Sequence, residues 1–252
     1  MKVLGIDTTG DIGSVALIED EQLLGEILFS GARSYSVKLL SMVDRLLDDN
    51  GCSVKDLDLV AVSTGPGSFT GLRVGISTAQ GIAFVENKNL IGIPTLEVIA
   101  HQAYGHQEQI CPMIASRGTE IFTALYRFTE TGILEQRASA TACEPESWLA
   151  SIHEQTVFLG SGAWRYHQQI KEYLKGAACV LSLYAGIPKA STVAHLARKH
   201  SLNQTRTDLF TIAPVYVKES DAERYPNRRK GSFQPVTGYE PAEHNQAHKM
   251  KQ

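Results

Sequence analysis

The chain has 252 residues, of which 43% are hydrophobic and 20% are charged, and its formal net charge is −3 at pH 7. This balance excludes a general attraction to nucleic acid or to an anionic membrane, so any RNA contact is expected to be weak, local or shared with a partner. No stretch approaches the roughly 18 consecutive apolar residues of a membrane span, and the four cysteines form no Cys-x-x-Cys pair, which predicts a cytoplasmic protein.

The first hundred residues predict a mixed sheet flanked by helices. Short turns separate the first three strands, which indicates antiparallel neighbours, and later strands alternate with helices, which is typical of a parallel arrangement. The predicted strands are Lys2 to Asp7, Ser14 to Glu19, Leu23 to Phe29, Asp58 to Val62 and Ile91 to Ile93, with helices at Ser36 to Asp49, after Ser68 to about Val85, and from Thr95 to about Tyr104.

A glycine-rich turn joins the fourth strand to the second helix. Gly65 and Gly67 permit unusual backbone angles, and Ser68 or Thr70 can cap the helix that follows. The turn is interpreted either as a phosphate-binding loop, since a helix N-terminus favours negative charge, or as a well-capped turn that binds nothing. The residue types alone favour the second interpretation, because the P-loop ending and the dinucleotide fingerprint are both missing.

The first two helices carry surfaces that predict a partner. The second has a small residue at every fourth position, so that one face is nearly bare, and the first has an apolar surface too broad to cover only its own sheet. The partner helix belongs either to another subunit or to this chain. The predicted partner-binding residues are Val37, Leu40, Val43, Leu47, Gly71, Gly75, Ala79 and Ala83.

The run Gly65-Pro-Gly-Ser-Phe-Thr-Gly-Leu-Arg-Val-Gly75 resembles the signature of the TsaB (YeaZ) family. The resemblance extends to Leu4-Gly-Ile-Asp-Thr-Thr9, to Ser14-Val-Ala-Leu-Ile18 and to Gly92-Ile-Pro-Thr-Leu-Glu97, and more weakly to Pro214-Val-Tyr-Val-Lys218. It covers roughly the first hundred residues well and the remainder thinly.

The resemblance implies a duplicated actin-like ATPase (ribonuclease H-like) α/β fold, with two lobes of mixed sheet flanked by helices. In that superfamily the first hairpin holds phosphate and a metal-bound water, and Asp7, Thr8 and Thr9 occupy the corresponding place. With Gly65, Gly67 and Ser68 they are predicted to form vestigial phosphate loops, although such residues more often satisfy the amides of their own turn.

The histidines argue against a metal site. The resemblance implies a catalytic sister subunit, TsaD, with a His-x-x-x-His pair. In this chain His101 and His106 are five positions apart, with Gly105 between them, and His195 and His200 are also five positions apart. Five residues is about 500° of helical turn, so two rings at that spacing do not share a metal. We therefore predict no metal ligands and no catalytic residues.

The second half predicts another lobe. Its strands are placed at Ile110 to Ala115, Ile121 to Phe128, Ile133 to Gln136, Thr156 to Leu159 and Ala178 to Leu181, with helices at Pro145 to His153, at Trp164 to Leu174 and after Pro188. The family's Asp-Ala-Arg is here Ala115-Ser116-Arg117, so the acid is missing. The predicted lobes are 1–105 and 106–218, with the helix near 190–200 packing back on the first lobe. A polar, disordered tail is predicted at 219–252, and its basic cluster is a candidate RNA contact.

The function implied by the resemblance is that of a non-catalytic subunit needed to make threonylcarbamoyladenosine on tRNA. It is expected to bind TsaD and, with it, the ATPase TsaE, or a second copy of itself when TsaD is absent. A nucleotide, ATP or ADP, is expected only where these partners meet. On this view, Ala79→Trp leaves a folded chain that no longer binds TsaD.

Two other functions remain open from the sequence. An active small-molecule kinase or ATPase would use Asp7 and the glycine turns, and a metalloprotease would need bound zinc. No Ser-His-Asp nucleophile motif is recognisable.

Overall fold

Two five-stranded mixed sheets carry the fold in a computed structural model that describes residues 1–30, 35–116, 118–202 and 209–217. The first sheet consists of β1 Lys2–Asp7, β2 Ile12–Glu19, β3 Gln22–Ser30, β4 Leu59–Gly65 and β5 Asn89–Pro94. The order is β3-β2-β1-β4-β5. Tight turns make β1, β2 and β3 antiparallel, and β4 and β5, each reached through a helix, run parallel to β1.

The second sheet repeats this arrangement. It consists of β6 Gln109–Ala115, β7 Ile121–Phe128, β8 Leu134–Cys143, β9 Thr156–Leu159 and β10 Ala178–Val180, in the order β10-β9-β6-β7-β8. Again the first three strands are antiparallel and the last two are parallel to the first. Two copies of one topology confirm the predicted duplicated actin-like fold.

Seven α-helices connect and cover the described strands. They are α1 Tyr35–Asp49, α2 Phe69–Val85, α3 Thr95–His101, α4 Pro145–Leu149, α5 Ser161–Arg165, α6 His167–Leu174 and α7 Ala190–Ser201. Alternate residues of β1 face opposite sides of the sheet: Leu4 and Ile6 join the core beneath α1 and α2, whereas Val3 joins the core beneath α7. The chain therefore returns from its second half to close the first sheet.

Hydrogen bonds from the hairpin strands fix the start of α7. The Ala190 amide donates to Ser14 Oγ over 2.8 Å, and the Ser191 amide donates to Glu26 Oε1 over 3.0 Å. These bonds satisfy amides that every helix N-terminus leaves without a partner. They tie β2 and β3 to an element that lies far along the sequence.

Some element boundaries differ from the sequence predictions. The helix predicted at Trp164 to Leu174 is two helices, because the backbone at Tyr166 has φ −106° and ψ 19° and breaks the turn. Strand β8 continues to Cys143, since pairing with β7 holds a stretch of small residues that has little strand pattern of its own. The helices predicted to end at Tyr104 and His153 end at His101 and Leu149.

The predicted tail at 219–252 and Arg117 lie outside the described residues. Within the described residues, no helix is both long and apolar enough to cross a membrane.

Candidate functional site

Asp7 lies at the carboxyl end of β1 and is completely buried. The Thr9 amide donates a hydrogen bond to Asp7 Oδ1 over 3.1 Å, and the Thr9 hydroxyl lies 3.1 Å and 3.2 Å from the two carboxylate oxygens. The carboxylate thus accepts hydrogen bonds from its own turn, which is the alternative to a phosphate loop that the sequence left open for these residues.

Burial raises the pKa of Asp7, and hydrogen-bond donors act in the opposite direction. The hydroxyl of Ser63 on β4 is one of these neighbours, although its Oγ is buried and has no partner at hydrogen-bond geometry in the described part of the chain. A carboxylate with a raised pKa and an unpartnered hydroxyl are features that accumulate at functional sites, and structural networks also produce them.

The turn between β4 and α2 is closed by other parts of this chain. The Gly65 amide donates to Thr95 Oγ1 over 3.1 Å, and the Ser68 amide donates to the Thr9 carbonyl over 2.7 Å. Ser68 Oγ accepts from the Gly71 amide over 3.3 Å, which confirms the predicted cap. Three amides of this turn, those of Gly65, Ser68 and Gly71, therefore have partners within the chain.

The glycines of α2 pack directly on the first hairpin. A side chain at Gly71 would clash with the Thr8 carbonyl oxygen, and one at Gly75 would clash with Thr8 Oγ1. In the same contact, Thr8 Oγ1 donates to the Gly71 carbonyl over 2.7 Å. Small residues are needed here because two backbones approach each other closely.

The small-residue face of α2 therefore packs on this chain, which is the second of the two alternatives that the sequence left open, although it meets the first hairpin and not a helix. The small residues are buried inside this chain, and Val43 and Leu47 of α1 are buried in the same core. Their physical role is to let α2 approach β1 and its turn, so Ala79→Trp would break the fold rather than an interface. The buried positions are Val43, Leu47, Gly71, Gly75, Ala79 and Ala83.

Two of the predicted partner-binding residues are exposed. Val37 is 77% exposed and Leu40 is 53% exposed, both on the outer side of α1. The outer side of α2 adds Phe84, which is 66% exposed, and Gly81, beside which an added Cβ would meet no atom within 4 Å. Apolar side chains thus remain uncovered on the two helices, on the side away from the small-residue row.

Other parts of this chain also pack against the glycine turn before α5. An added side chain at Gly186 would clash with the backbone of Gly160, so the short 3-10 helix Leu183–Gly186 sits against that turn. Ser161 Oγ accepts a hydrogen bond from the Ala115 amide over 3.1 Å. The turn at Gly160 is thus packed by its own chain.

A histidine pair joins two helices that are distant in the sequence. The rings of His101 and His195 lie 5.6 Å apart beside a pocket of about 220 Å³ that also includes Glu21 and Ser191. The spacings of His101 from His106 and of His195 from His200 do not predict this pair, because His101 is on α3 and His195 is on α7. Across the described ranges, no cluster of three or more His, Cys, Asp and Glu side chains can hold a metal ion.

Comparison with known proteins identifies the family. The family described as TsaD, tRNA N6-adenosine threonylcarbamoyltransferase, matches residues 22–224. The Escherichia coli protein named tRNA threonylcarbamoyladenosine biosynthesis protein TsaB is 33% identical over 166 residues, covering 65% of this chain and 69% of the relative. The chain belongs to the TsaB family.

Similarity to the TsaB family extends well beyond the first hundred residues. The Bacillus subtilis protein of the same name is 26% identical over 226 residues, covering 88% of this chain and 96% of the relative. The solved structure of YeaZ from Pseudomonas aeruginosa has a TM-score of 0.73 at 26% identity and covers 85% of this chain and 99% of that one. The second half therefore keeps the family fold although its motifs are weak.

We predict that Asp7→Asn raises the free energy of unfolding at neutral pH. A carboxyl group whose pKa is raised by folding stabilises the folded state only at low pH, and that contribution is lost as the pH rises through the folded pKa. Asparagine keeps an acceptor for the Thr9 amide and carries no charge. Urea unfolding at pH 5 and pH 8 should show a larger gain at pH 8, and a variant less stable than the wild type at pH 8 would contradict this account.

We predict that His101 makes the free energy of unfolding fall as the solution becomes acidic. Burial lowers the pKa of His101 to about 4, with smaller effects from His195 and Lys199 and an opposing effect from Glu97. Because the unfolded imidazole binds a proton near pH 6.5, stability present above that pH is lost as the pH falls toward 4. With a discount for partial exposure we expect a loss of about 2 kcal/mol. As the pH falls, the wild type should lose this stability whereas His101→Phe should keep it, and parallel pH profiles of the two chains would refute the assignment.

Proposed function

We propose that the chain is a non-catalytic subunit of the system that makes threonylcarbamoyladenosine on tRNA. Its relatives in Bacillus subtilis and Escherichia coli are named as biosynthesis proteins for this nucleoside. The observation that supports the non-catalytic part is the close packing of Thr8 and Thr9 on the turn at Gly67 to Gly71, in which the Ser68 amide donates to the Thr9 carbonyl.

The proposed partner surface is the outer side of α1 and α2. The two helices pack against each other and against the sheet through their inner sides, so their position is fixed without a partner. Val37, Leu40 and Phe84 then expose apolar surface that a second subunit would remove from water. We infer that TsaD binds here as a heterodimer partner.

Three further features of the assembly belong to this proposal. TsaE would join where this chain meets TsaD, a nucleotide would bind at that junction, and two copies of this chain would pair through the same surface when TsaD is absent. Because Thr8 and Thr9 pack closely on the turn before α2, we infer a nucleotide position between subunits and not inside this chain.

A charged side chain at Leu40 should disrupt this association. In Leu40→Asp the carboxylate would be desolvated at the centre of an apolar contact, and we expect at least a tenfold loss of affinity for TsaD, about 1.4 kcal/mol or more. The measurement is titration of purified TsaD with wild-type and variant chains, together with the threonylcarbamoyladenosine content of tRNA in cells that depend on the variant.

Leu23→Asp is the matched control. Leu23 is 50% exposed, close to the 53% of Leu40, and lies on β3 rather than on α1. It should bind TsaD like the wild type. Equal binding of all three chains, with normal modification in cells, would show that α1 is not the partner surface.

A second function, an active small-molecule kinase or ATPase, is favoured by one observation. Asp7 lies beside Ser63 at the carboxyl end of the sheet, where ligands of open α/β sheets commonly bind, and the Ser63 hydroxyl has no hydrogen-bond partner among the described residues. Calorimetric titration of the isolated chain with Mg-ATP distinguishes the two functions. Binding and turnover that Asp7→Asn abolishes would support the enzyme and overturn the scaffold.

A further inference from the structure

The segment 161–175, which forms α5, α6 and the first residue of the 3-10 helix that follows, combines positive charge with exposed aromatic rings. Arg165, Lys171 and Lys175 against Glu172 give it a formal charge of +2, three minus one, in a chain of net charge −3. Its exposed large hydrophobic side chains, Trp164 and Tyr173, are both aromatic. An interface with an apolar protein surface would be expected to expose aliphatic side chains as well.

Two rings of this segment are already stacked. Trp164 is 48% exposed, and its ring centroid lies 5.4 Å from that of His167 with an interplanar angle of 19°. His167 Nδ1 lies 2.9 Å from the Trp164 carbonyl oxygen, which fixes the orientation of the imidazole. A third flat ring can extend such a stack at little entropic cost, because its platform is ordered beforehand.

The neighbouring residues hold this platform on the second sheet. Arg165 Nη1 donates to the Ser116 carbonyl over 3.2 Å, and the Tyr166 hydroxyl donates to the Thr119 carbonyl over 2.7 Å. Both acceptors belong to the connection between β6 and β7. The guanidinium of Arg165, the residue that follows Trp164 in the sequence, lies 5.4 Å from the centre of the Tyr166 ring.

We propose that this surface, the α5–α6 platform, binds single-stranded RNA. One base stacks on the Trp164 and His167 rings, and Arg165 and Lys171 attract the adjoining phosphates. Stacking rings interleaved with cations are the usual means of binding single strands without sequence preference. The inference rests on the proposed function only in that a tRNA-modifying system brings an unpaired loop within reach.

Fluorescence of the full chain tests the contact. The chain has two tryptophans, and Trp148 donates from Nε1 to Cys111 Sγ at a part-buried site, so Trp148→Phe leaves Trp164 as the reporter. A twelve-nucleotide oligoadenylate should quench this emission and bind more weakly as salt rises. By anisotropy of the labelled oligonucleotide, Trp164→Ala should lose about tenfold in affinity and Trp164→Phe should keep most of it.

Tyr216→Ala is the matched control, since Tyr216 is an aromatic residue that is 48% exposed like Trp164 and lies outside α5 and α6. It should bind the oligonucleotide as the wild type does. If the oligonucleotide binds without quenching Trp164, and binds Trp164→Ala with equal affinity, then charge elsewhere attracts the RNA and the inference is overturned. Loss of TsaD binding in Trp164→Ala with unchanged RNA affinity would also overturn it, in favour of a protein contact. Normal tRNA modification beside failed RNA binding would leave the proposed function intact.

Discussion

The close approach of Thr8 to the glycine side of α2 is the contact on which the first half of the molecule depends. Backbone meets backbone at Gly71, and the Thr8 hydroxyl fills the space beside Gly75. This contact positions the turn after β1 against the turn before α2, and the Ser68 amide donates to the Thr9 carbonyl across it. The two turns are thus closed against each other by the chain itself.

The direction of the small-residue row of α2 also determines which side of the two helices is exposed. Because the small residues of α2 face inward, the outer sides of α1 and α2 carry exposed apolar side chains, among them Leu40 and Phe84. In the second half, Gly186 packs against the turn at Gly160 in a similarly close contact. The proposed association with a partner would use the exposed apolar surface of the first two helices.

Much of the fold could be predicted from the sequence because its signals are local. Strand alternation and short hairpin turns fix β1 to β3, and the Gly65 to Gly75 motif marks the family. The direction of the small-residue row could not be predicted, since spacing by four suits a foreign helix and the chain's own hairpin equally. The His101 and His195 pair and the Gly186 contact depend on tertiary packing between segments far apart in sequence, which no local pattern encodes.

Equilibrium unfolding of two alanine variants in α2 tests the central claim most directly. If Thr8 packs on the inner side of the helix, Gly71→Ala must displace a backbone carbonyl and should lose about 2 to 3 kcal/mol of stability. Gly81→Ala, in open space on the same helix, should gain about 0.5 to 1 kcal/mol. Equal gains in both variants would show that the small-residue side of α2 does not rest on the first hairpin.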